Sequence, residues 1–136
     1  MSINISWDSY LNVIRSLGDM LEHGIGIDLS KIDGIHGIPR GGLIPTTILS
    51  HRFDIPLVYN LKDTSNLNLL VIEDISDSGS TLTEFKKITE FYNNHKLTFA
   101  SLYYRYSTTF VPDFSVIRIE HDEWLNFPYE VPKIST

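Results

Sequence analysis

The fold is decided by one stretch, Leu69-Leu70-Val71-Ile72-Glu73-Asp74-Ile75-Ser76-Asp77-Ser78-Gly79-Ser80-Thr81-Leu82. The apolar run over residues 67–72 predicts a buried strand. Two adjacent carboxylates end that strand, small turn-forming residues occupy 76–80, and a helix is predicted over 82–93. A buried strand that passes through a short loop into a helix is typical of α/β domains.

The segments on either side repeat this alternation. Helices are predicted over residues 7–23 and 43–52, and strands over 32–38, 55–59, 97–104 and 115–119. The first helix has Ser6 as N-cap and an apolar face of Trp7, Leu11, Ile14, Leu17 and Leu21. Strands that alternate with helices imply a mostly parallel central sheet flanked by helices, with ligands at the carboxyl ends of the strands.

Length and charge restrict the classes of function. A chain of 136 residues fits a single domain. With 11 Lys and Arg against 17 Asp and Glu, a net charge of -6 argues against binding to nucleic acid or to anionic membranes. No apolar run is long enough to span a bilayer, residues 1–9 carry no secretory signal, and the absence of cysteine favours the cytoplasm.

The loop after the buried strand has the chemistry of a phosphate site. Amides at a helix N-terminus attract anions, and Gly79 lets a ligand approach the backbone. Ser78, Ser80 and Thr81 add hydroxyl donors. Glu73 and Asp74 suit sugar hydroxyls and a divalent cation instead. The stretch is neither a P-loop nor a dinucleotide loop, because it has neither the required Lys nor the required glycine spacing.

Residues 73–81 resemble the ribose-phosphate motif of type I phosphoribosyltransferases, acidic-acidic-x-x-Asp-[Ser/Thr]-Gly-x-Thr, and fill every fixed position. The resemblance implies that these enzymes' donor, 5-phosphoribosyl 1-pyrophosphate, is bound by Glu73, Asp74 and the loop Asp77, Ser78, Gly79, Ser80 and Thr81. It implies Mg²⁺ as cofactor, with Asp74 close to the ion. Asp77 would be the catalytic base near the purine N7.

The segment Pro39-Arg40-Gly41-Gly42-Leu43-Ile44-Pro45 is similar to the pyrophosphate loop of the bacterial xanthine-guanine branch. An arginine and bare amides on a glycine turn suit a pyrophosphate, although Arg-Gly-Gly is also a common flexible turn. The resemblance implies that Arg40, Gly41 and Gly42 bind pyrophosphate, and that the Pro39–Arg40 peptide is cis. The opening Ser6-Trp7-Asp8 is also similar to that branch, with Trp7 expected in the core.

The segment after the last strand resembles the purine-binding loop of the same branch. Trp124 would stack on the base, the backbone of Leu125 would recognise the group at purine position 2, and Glu130 would lie near the metal. Packing alone is the alternative role for Trp124. Arg105 stands where the family usually has a Lys that bonds the purine 6-oxo group, and an Arg can donate the same bond to the base. Its wider fork and fixed charge leave two alternatives open, a different base specificity and a plain surface role.

The predicted protein is therefore a single phosphoribosyltransferase domain, with a core over about 30–120 and a base-binding hood over about 121–136. Its substrates would be phosphoribosyl pyrophosphate and guanine, xanthine or hypoxanthine, and the resemblance implies a homodimer or homotetramer. The connection over residues 60–68 is shorter than the mobile loop that closes these enzymes. A binding or regulatory protein with little turnover and a transferase for a different base are therefore alternatives.

Overall fold

The computed structural model describes residues 2–130. Six strands and three helices occur within them, in the order β1 (Ser2–Asn4), α1 (Trp7–His23), β2 (Gly34–Gly37), α2 (Leu43–Phe53), β3 (Asn68–Ser76), α3 (Ser80–Asn93), β4 (Lys96–Arg105), β5 (Phe114–Ile119) and β6 (Trp124–Asn126). A 3-10 turn, Leu29–Lys31, precedes β2. No helix among these residues is long and apolar enough to cross a membrane.

The central sheet has four parallel strands in the order β2-β3-β4-β5. Alternate residues of β3 face opposite sides of the sheet, as strand geometry requires. Leu70 and Ile72 pack in the core formed with α1 and α2, whereas Leu69 and Val71 pack with Leu82 of α3. The sheet is thus covered on both faces, and each of these fully buried side chains contributes about 1.5–3 kcal/mol of hydrophobic stabilisation.

Helix α1 has the predicted bounds, but its buried face differs from the prediction. Ser6 caps the helix, since its hydroxyl accepts a hydrogen bond from the Ser9 amide at 3.1 Å. Tyr10 is completely buried, whereas Trp7 and Leu11 are 48% and 42% exposed. The expectation that Trp7 lies in the core was wrong, because the apolar stripe of this helix is wider than the face that the rest of the protein covers.

Two strand predictions also need correction. Residues 55–59 form no strand and pair with β2 through the isolated bridge Ile35–Leu57, because Pro56 has no amide to donate to a sheet. Strand β3 continues to Ser76, four residues past the predicted end. Glu73 and Asp74 therefore lie inside the strand, which fixes the direction of both side chains.

The strands β1 and β6, which the sequence did not predict, pair in parallel as a second small sheet. The Asn126 side-chain amide donates to Asn4 Oδ1 at 2.9 Å, and the Ile5 amide donates to the Asn126 carbonyl at 2.9 Å. Three residues are too few to show an alternating pattern. The pairing fastens the segment after β5 to the beginning of the chain, directly above the carboxyl ends of the central strands.

Candidate active site

A cavity of about 690 Å³ lies at the carboxyl ends of the central strands. Three separate segments that the sequence singled out contribute to its wall, together with the strand β6 and the turn after it. The lining residues are Arg40, Gly41, Asp74, Ile75, Asp77, Arg105, Trp124, Leu125, Phe127, Tyr129 and Glu130. Eight of the predicted site residues are thus brought into one cavity.

The predicted phosphate loop forms a smaller hollow of about 70 Å³ beside the large cavity. Gly79 precedes α3 with φ of 92°, a backbone conformation that glycine adopts without strain. The N-cap Gly79 provides no side-chain cap, and the Ser80 amide makes only a 3.3 Å hydrogen bond to Ser78 Oγ, so the start of α3 keeps backbone donors for an anion. Ser78, Gly79 and Thr81 line the hollow, whereas Ser80 is exposed on the first turn of α3.

The loop after β4 packs on this turn, a contact that the sequence did not indicate. The Thr109 amide and hydroxyl both donate to the Ser78 carbonyl, each at 2.9 Å. A Cβ atom added at Gly79 would lie 2.6 Å from the Phe110 amide nitrogen and 2.6 Å from Thr109 Oγ1. A side chain at position 79 would therefore displace that loop, so the glycine is needed for packing as well as for its backbone angle.

The two adjacent acids of β3 point into different cavities. Glu73 lines the small hollow, and Asp74 lines the large cavity. Both residues are buried. Because Glu73 is inside a strand, its side chain faces the opposite side of the sheet from that of Asp74. The two acids thus line different cavities, although their carboxyl groups lie close enough to each other to interact.

Glu73 is held in a protonated form by its surroundings. Burial raises the pKa of Glu73 to about 9, and the neighbouring Asp74 carboxyl adds to the rise. The Asp74 amide donates to Glu73 Oε1 at 2.9 Å, which opposes the rise in part. At neutral pH the Glu73 carboxyl is consequently a hydrogen-bond donor as well as an acceptor.

Asp74 is enclosed by three groups. The Ile75 amide donates to its Oδ1 at 2.7 Å, and the Tyr129 hydroxyl donates to its Oδ2. A Cβ atom added at Gly41 would overlap the Asp74 carboxylate, so the pyrophosphate loop packs directly on this acid. Tyr129 was missed because it is 55 positions away from Asp74 in the sequence, and because the resemblance gives it no role within the purine-binding loop.

Arg105 is buried and joins the phosphate loop to the hood. Its Nε donates to Asp77 Oδ1 at 2.5 Å, and its Nη1 donates to the carbonyls of His121 and Glu123 at 2.7 and 3.0 Å. The plain surface role for Arg105 is therefore wrong. The residue expected to contact the base and the residue expected to act as the catalytic base form one charged pair.

The hood presents one exposed ring to the cavity. Trp124 is 60% exposed at the rim, whereas Leu125 and Phe127 are buried beneath it. Alternation along β6 explains this difference between neighbours. A packing-only role for Trp124 does not fit an indole that leaves more than half of its surface uncovered. Residues 131–136 of the predicted hood lie outside the described residues.

The predicted pyrophosphate loop lies between β2 and α2. Arg40 is exposed and lines the cavity with Gly41, and the Gly42 amide donates to the Ile38 carbonyl at 2.8 Å. The Pro39–Arg40 peptide is cis, which confirms the expectation taken from the resemblance. Gly42 itself does not line the cavity; it begins α2 as the N-cap.

The carboxylates available to a metal ion are few. Residues 2–130 contain no group of three or more His, Cys, Asp or Glu that could hold an ion. Asp74 and Glu130 line the same cavity, and Glu130 Oε1 already accepts from the Phe127 amide at 3.0 Å. This donor set fits Mg²⁺, which proteins often bind through one or two carboxylates while ligand phosphates and water complete the shell.

Comparison with known proteins finds relatives in one class of enzyme. No family model matches the chain. Curated xanthine-guanine phosphoribosyltransferases from Cereibacter sphaeroides and Desulfotalea psychrophila are each 27% identical to it, over 94% and 93% of this chain and 86% and 84% of theirs. The crystal structure of a purine phosphoribosyltransferase from Pyrococcus horikoshii superposes with a TM-score of 0.78, at 28% identity and 99% coverage of both chains.

These similarities confirm the predicted resemblance, fold class and enzyme class. The chain has the single-domain α/β fold of purine phosphoribosyltransferases, with parallel sheets flanked by helices. Within that class it is similar over most of its length to the xanthine-guanine enzymes. The comparisons support phosphoribosyl transfer to a purine base as its chemistry.

Proposed function

We propose that the protein catalyses, in this cavity, the transfer of the 5-phosphoribosyl group of phosphoribosyl pyrophosphate to guanine, xanthine or hypoxanthine, with release of pyrophosphate. One observation carries the proposal. A single cavity of about 690 Å³ is lined by the Arg40 loop, by the end of β3, by Arg105 and by the exposed ring of Trp124. The leaving group, the sugar and the base each need a binding surface, and the reaction requires these surfaces to lie next to one another.

The donor would lie across the two neighbouring cavities. Its 5-phosphate fits the backbone amides at the start of α3, with the hydroxyls of Ser78 and Thr81 beside them. Its pyrophosphate fits Arg40 and the backbone of Gly41. Its ribose hydroxyls would bond to Asp74, and to Glu73 from the side of the phosphate hollow.

The purine would lie between Trp124 and the Arg105–Asp77 pair. Stacking on an exposed indole is typically worth about 1–3 kcal/mol. Arg105 uses Nε and Nη1 in its three protein contacts, which leaves the Nη2 amino group for the purine 6-oxo oxygen. The backbone of Leu125 would meet the group at position 2.

The residues suggest how the chain would assist the displacement. The bond from ribose C1 to pyrophosphate breaks and a bond from C1 to a purine nitrogen forms, through a state with oxocarbenium character. Arg40 would stabilise the negative charge that develops on the leaving pyrophosphate. Asp77, whose carboxylate is bonded to the Arg105 guanidinium, would accept the proton that the purine loses near N7.

Mg²⁺ is proposed as cofactor, with Asp74 and Glu130 as the protein carboxylates nearest to it. When bound, the ion would neutralise charge on the pyrophosphate. A single domain with a core over 30–120 and a hood over 121–136 is part of the proposal. A homodimer or homotetramer and a cytoplasmic location stay predictions of the sequence.

The short connection after α2 supports a second candidate function, a protein that binds the donor with little turnover. The segment between Asn60 and Asn68 is fastened rather than loose, because Asn93 donates to the carbonyls of Leu61 and Thr64 at 3.0 and 2.9 Å. A fixed short segment leaves the reacting carbon open to water from this side.

Initial rates with a panel of bases separate the candidates. The protein is incubated with phosphoribosyl pyrophosphate, Mg²⁺ and, in turn, guanine, xanthine, hypoxanthine, adenine, uracil or orotate. We expect turnover with at least one 6-oxopurine and none with uracil or orotate. Donor binding in calorimetry without turnover on any base would select the second candidate, and turnover with a pyrimidine would overturn the purine assignment.

A further inference from the structure

Tyr129 has a contact that no part of the proposed reaction uses. It stands on the tight turn after β6, which two hydrogen bonds between Phe127 and Glu130 close at 3.0 Å each. Its hydroxyl reaches across the large cavity to Asp74 Oδ2. The end of the hood is thereby tied to the strand that carries the predicted sugar site.

Tyr129 also packs against two other aromatic rings. Its ring is stacked on Phe127 at 5.7 Å between centroids and 9° between planes, and it lies 5.8 Å from the ring of Tyr10. Burial and the nearby Asp74 carboxylate raise the pKa of Tyr129. The phenol therefore stays a hydrogen-bond donor throughout the physiological range.

Asp74 has little other room for a ligand. It is only 7% exposed, its Oδ1 is bonded to the Ile75 amide, and Gly41 packs against its carboxylate. Asp74 and Tyr129 both line the cavity, and the Tyr129 hydroxyl donates to Asp74 Oδ2. A sugar hydroxyl or the water shell of a cation in the cavity would need the same oxygen.

We propose that Tyr129 is a gate, whose hydroxyl holds the place at Asp74 that a hydroxyl of the phosphoribosyl donor takes. The proposal rests on the proposed function, because it assumes that Asp74 contacts the donor. Binding exchanges one hydroxyl donor for another at the same carboxylate oxygen, and the tyrosine side chain turns toward the cavity mouth. The donor must therefore displace the Tyr129 hydroxyl when it binds. Its affinity for the protein is lower than it would be if that oxygen of Asp74 had no partner.

The Tyr129→Phe variant tests the gate because it removes the hydroxyl and keeps the stacked ring. Tyr106→Phe is the matched control. Its hydroxyl donates to Asp122 at 2.9 Å in an exposed tyrosine–aspartate pair outside the cavity. We expect calorimetry with phosphoribosyl pyrophosphate and Mg²⁺ to give a dissociation constant about tenfold lower for Tyr129→Phe than for wild type, since a hydrogen bond to a charged group no longer has to be broken. Tyr106→Phe should bind like wild type.

Weaker binding by Tyr129→Phe would overturn the gate, because the hydroxyl would then be helping to hold Asp74 for the donor. Unchanged binding would overturn it too, since no competition would exist. A second measurement uses wild-type protein alone, so it does not depend on whether the variant folds. Saturating wild type with the donor should give a near-ultraviolet tyrosine difference spectrum, as Tyr129 loses its carboxylate partner, and a flat spectrum contradicts the gate.

The same titrations separate this proposal from the proposed function. If wild type and both variants bind phosphoribosyl pyrophosphate equally well, the donor site stands and only the gate is lost. If none of the three binds it with Mg²⁺ present, the proposed function fails and the gate fails with it.

Discussion

At the scale of single residues, the Arg105–Asp77 pair determines how the cavity can meet a base. A 2.5 Å charged hydrogen bond and two carbonyl contacts hold the guanidinium in one orientation. The lysine usual in this position of the family is a single point of charge and could not make this set of bonds. Arg105 thus supports the hood as well as offering a donor to the base.

Replacing Asp77 with Asn removes the proposed proton acceptor and leaves the shape of the loop. We expect kcat to fall by about 10²–10⁴-fold, the usual size of a general-base contribution, while the dissociation constant of phosphoribosyl pyrophosphate changes little. Steady-state kinetics and calorimetry measure the two quantities. Asp122→Asn, which removes an exposed carboxylate outside the cavity, is the control. An unchanged kcat would remove Asp77 from its role.

Replacing Trp124 with Ala should affect the base and spare the donor. Loss of stacking predicts a KM for the purine about tenfold higher, with donor affinity unaltered. Trp7→Ala is a matched control, since Trp7 is also about half exposed but lies outside the cavity. Equal loss of affinity for both substrates would mean that Trp124 supports the cavity by packing.

Glu73 makes stability depend on pH. Its pKa of about 9 lies above the ordinary value of 4.5, so the folded state binds its proton more tightly than the unfolded state. The resulting stability is complete below about pH 4.5 and is lost as the pH rises toward 9. We expect Glu73→Gln to be about 1–3 kcal/mol more stable than wild type at pH 8 and nearly equal to it at pH 5.

Urea unfolding at the two pH values measures this difference. Glu84→Gln, at an exposed position of α3, should show no such dependence on pH. A parallel shift of the Glu73 variant at both pH values would show that Glu73 is ionised in the folded protein.

At the scale of elements, His95 fastens the short connection between α2 and β3. Its Nδ1 accepts from the Leu67 amide at 3.0 Å, which leaves Nε2 to donate to Thr64 Oγ1 at 3.0 Å. The Thr64 hydroxyl in turn donates to the Leu61 carbonyl at 2.9 Å. The connection where the related enzymes carry a mobile loop is here a fixed part of the fold.

Replacing His95 with Ala should therefore destabilise the fold and loosen this connection. We expect a loss of about 1–3 kcal/mol, because the Leu67 amide and the Thr64 hydroxyl lose their partner. Urea unfolding gives the stability, and hydrogen exchange at the Leu67 amide gives the local effect. His51→Ala, at an exposed position of α2, should change neither. Normal protection of Leu67 in the His95 variant would mean that other contacts hold the connection.

At the scale of the whole molecule, the sequence predicted what local patterns encode. The three helices, the four central strands and the motif over residues 73–81 follow from periodicity and turn chemistry, which act over a few residues. The β1–β6 pair and the Tyr129–Asp74 bond join positions that are far apart in the chain. Only the packed fold brings such residues together, so no local sequence pattern predicts these contacts.

The placement of Glu73 and Asp74 in two different cavities was only partly predictable from the sequence. The motif identified both acids, but their directions depend on where β3 ends, and strand ends are poorly defined by local sequence. The same is true of Arg105, whose buried contacts come from the phosphate loop and the hood rather than from its own strand. Residue identity was predictable at these positions, and side-chain partners were not.

The products formed from phosphoribosyl pyrophosphate, Mg²⁺ and a 6-oxopurine show whether the cavity catalyses phosphoribosyl transfer. Chromatography with mass detection should find the purine nucleoside monophosphate and pyrophosphate in equal amounts, and neither should form without the base. An intact donor, or ribose 5-phosphate and pyrophosphate released without transfer to any purine, would contradict the claim that this cavity is a purine phosphoribosyltransferase site.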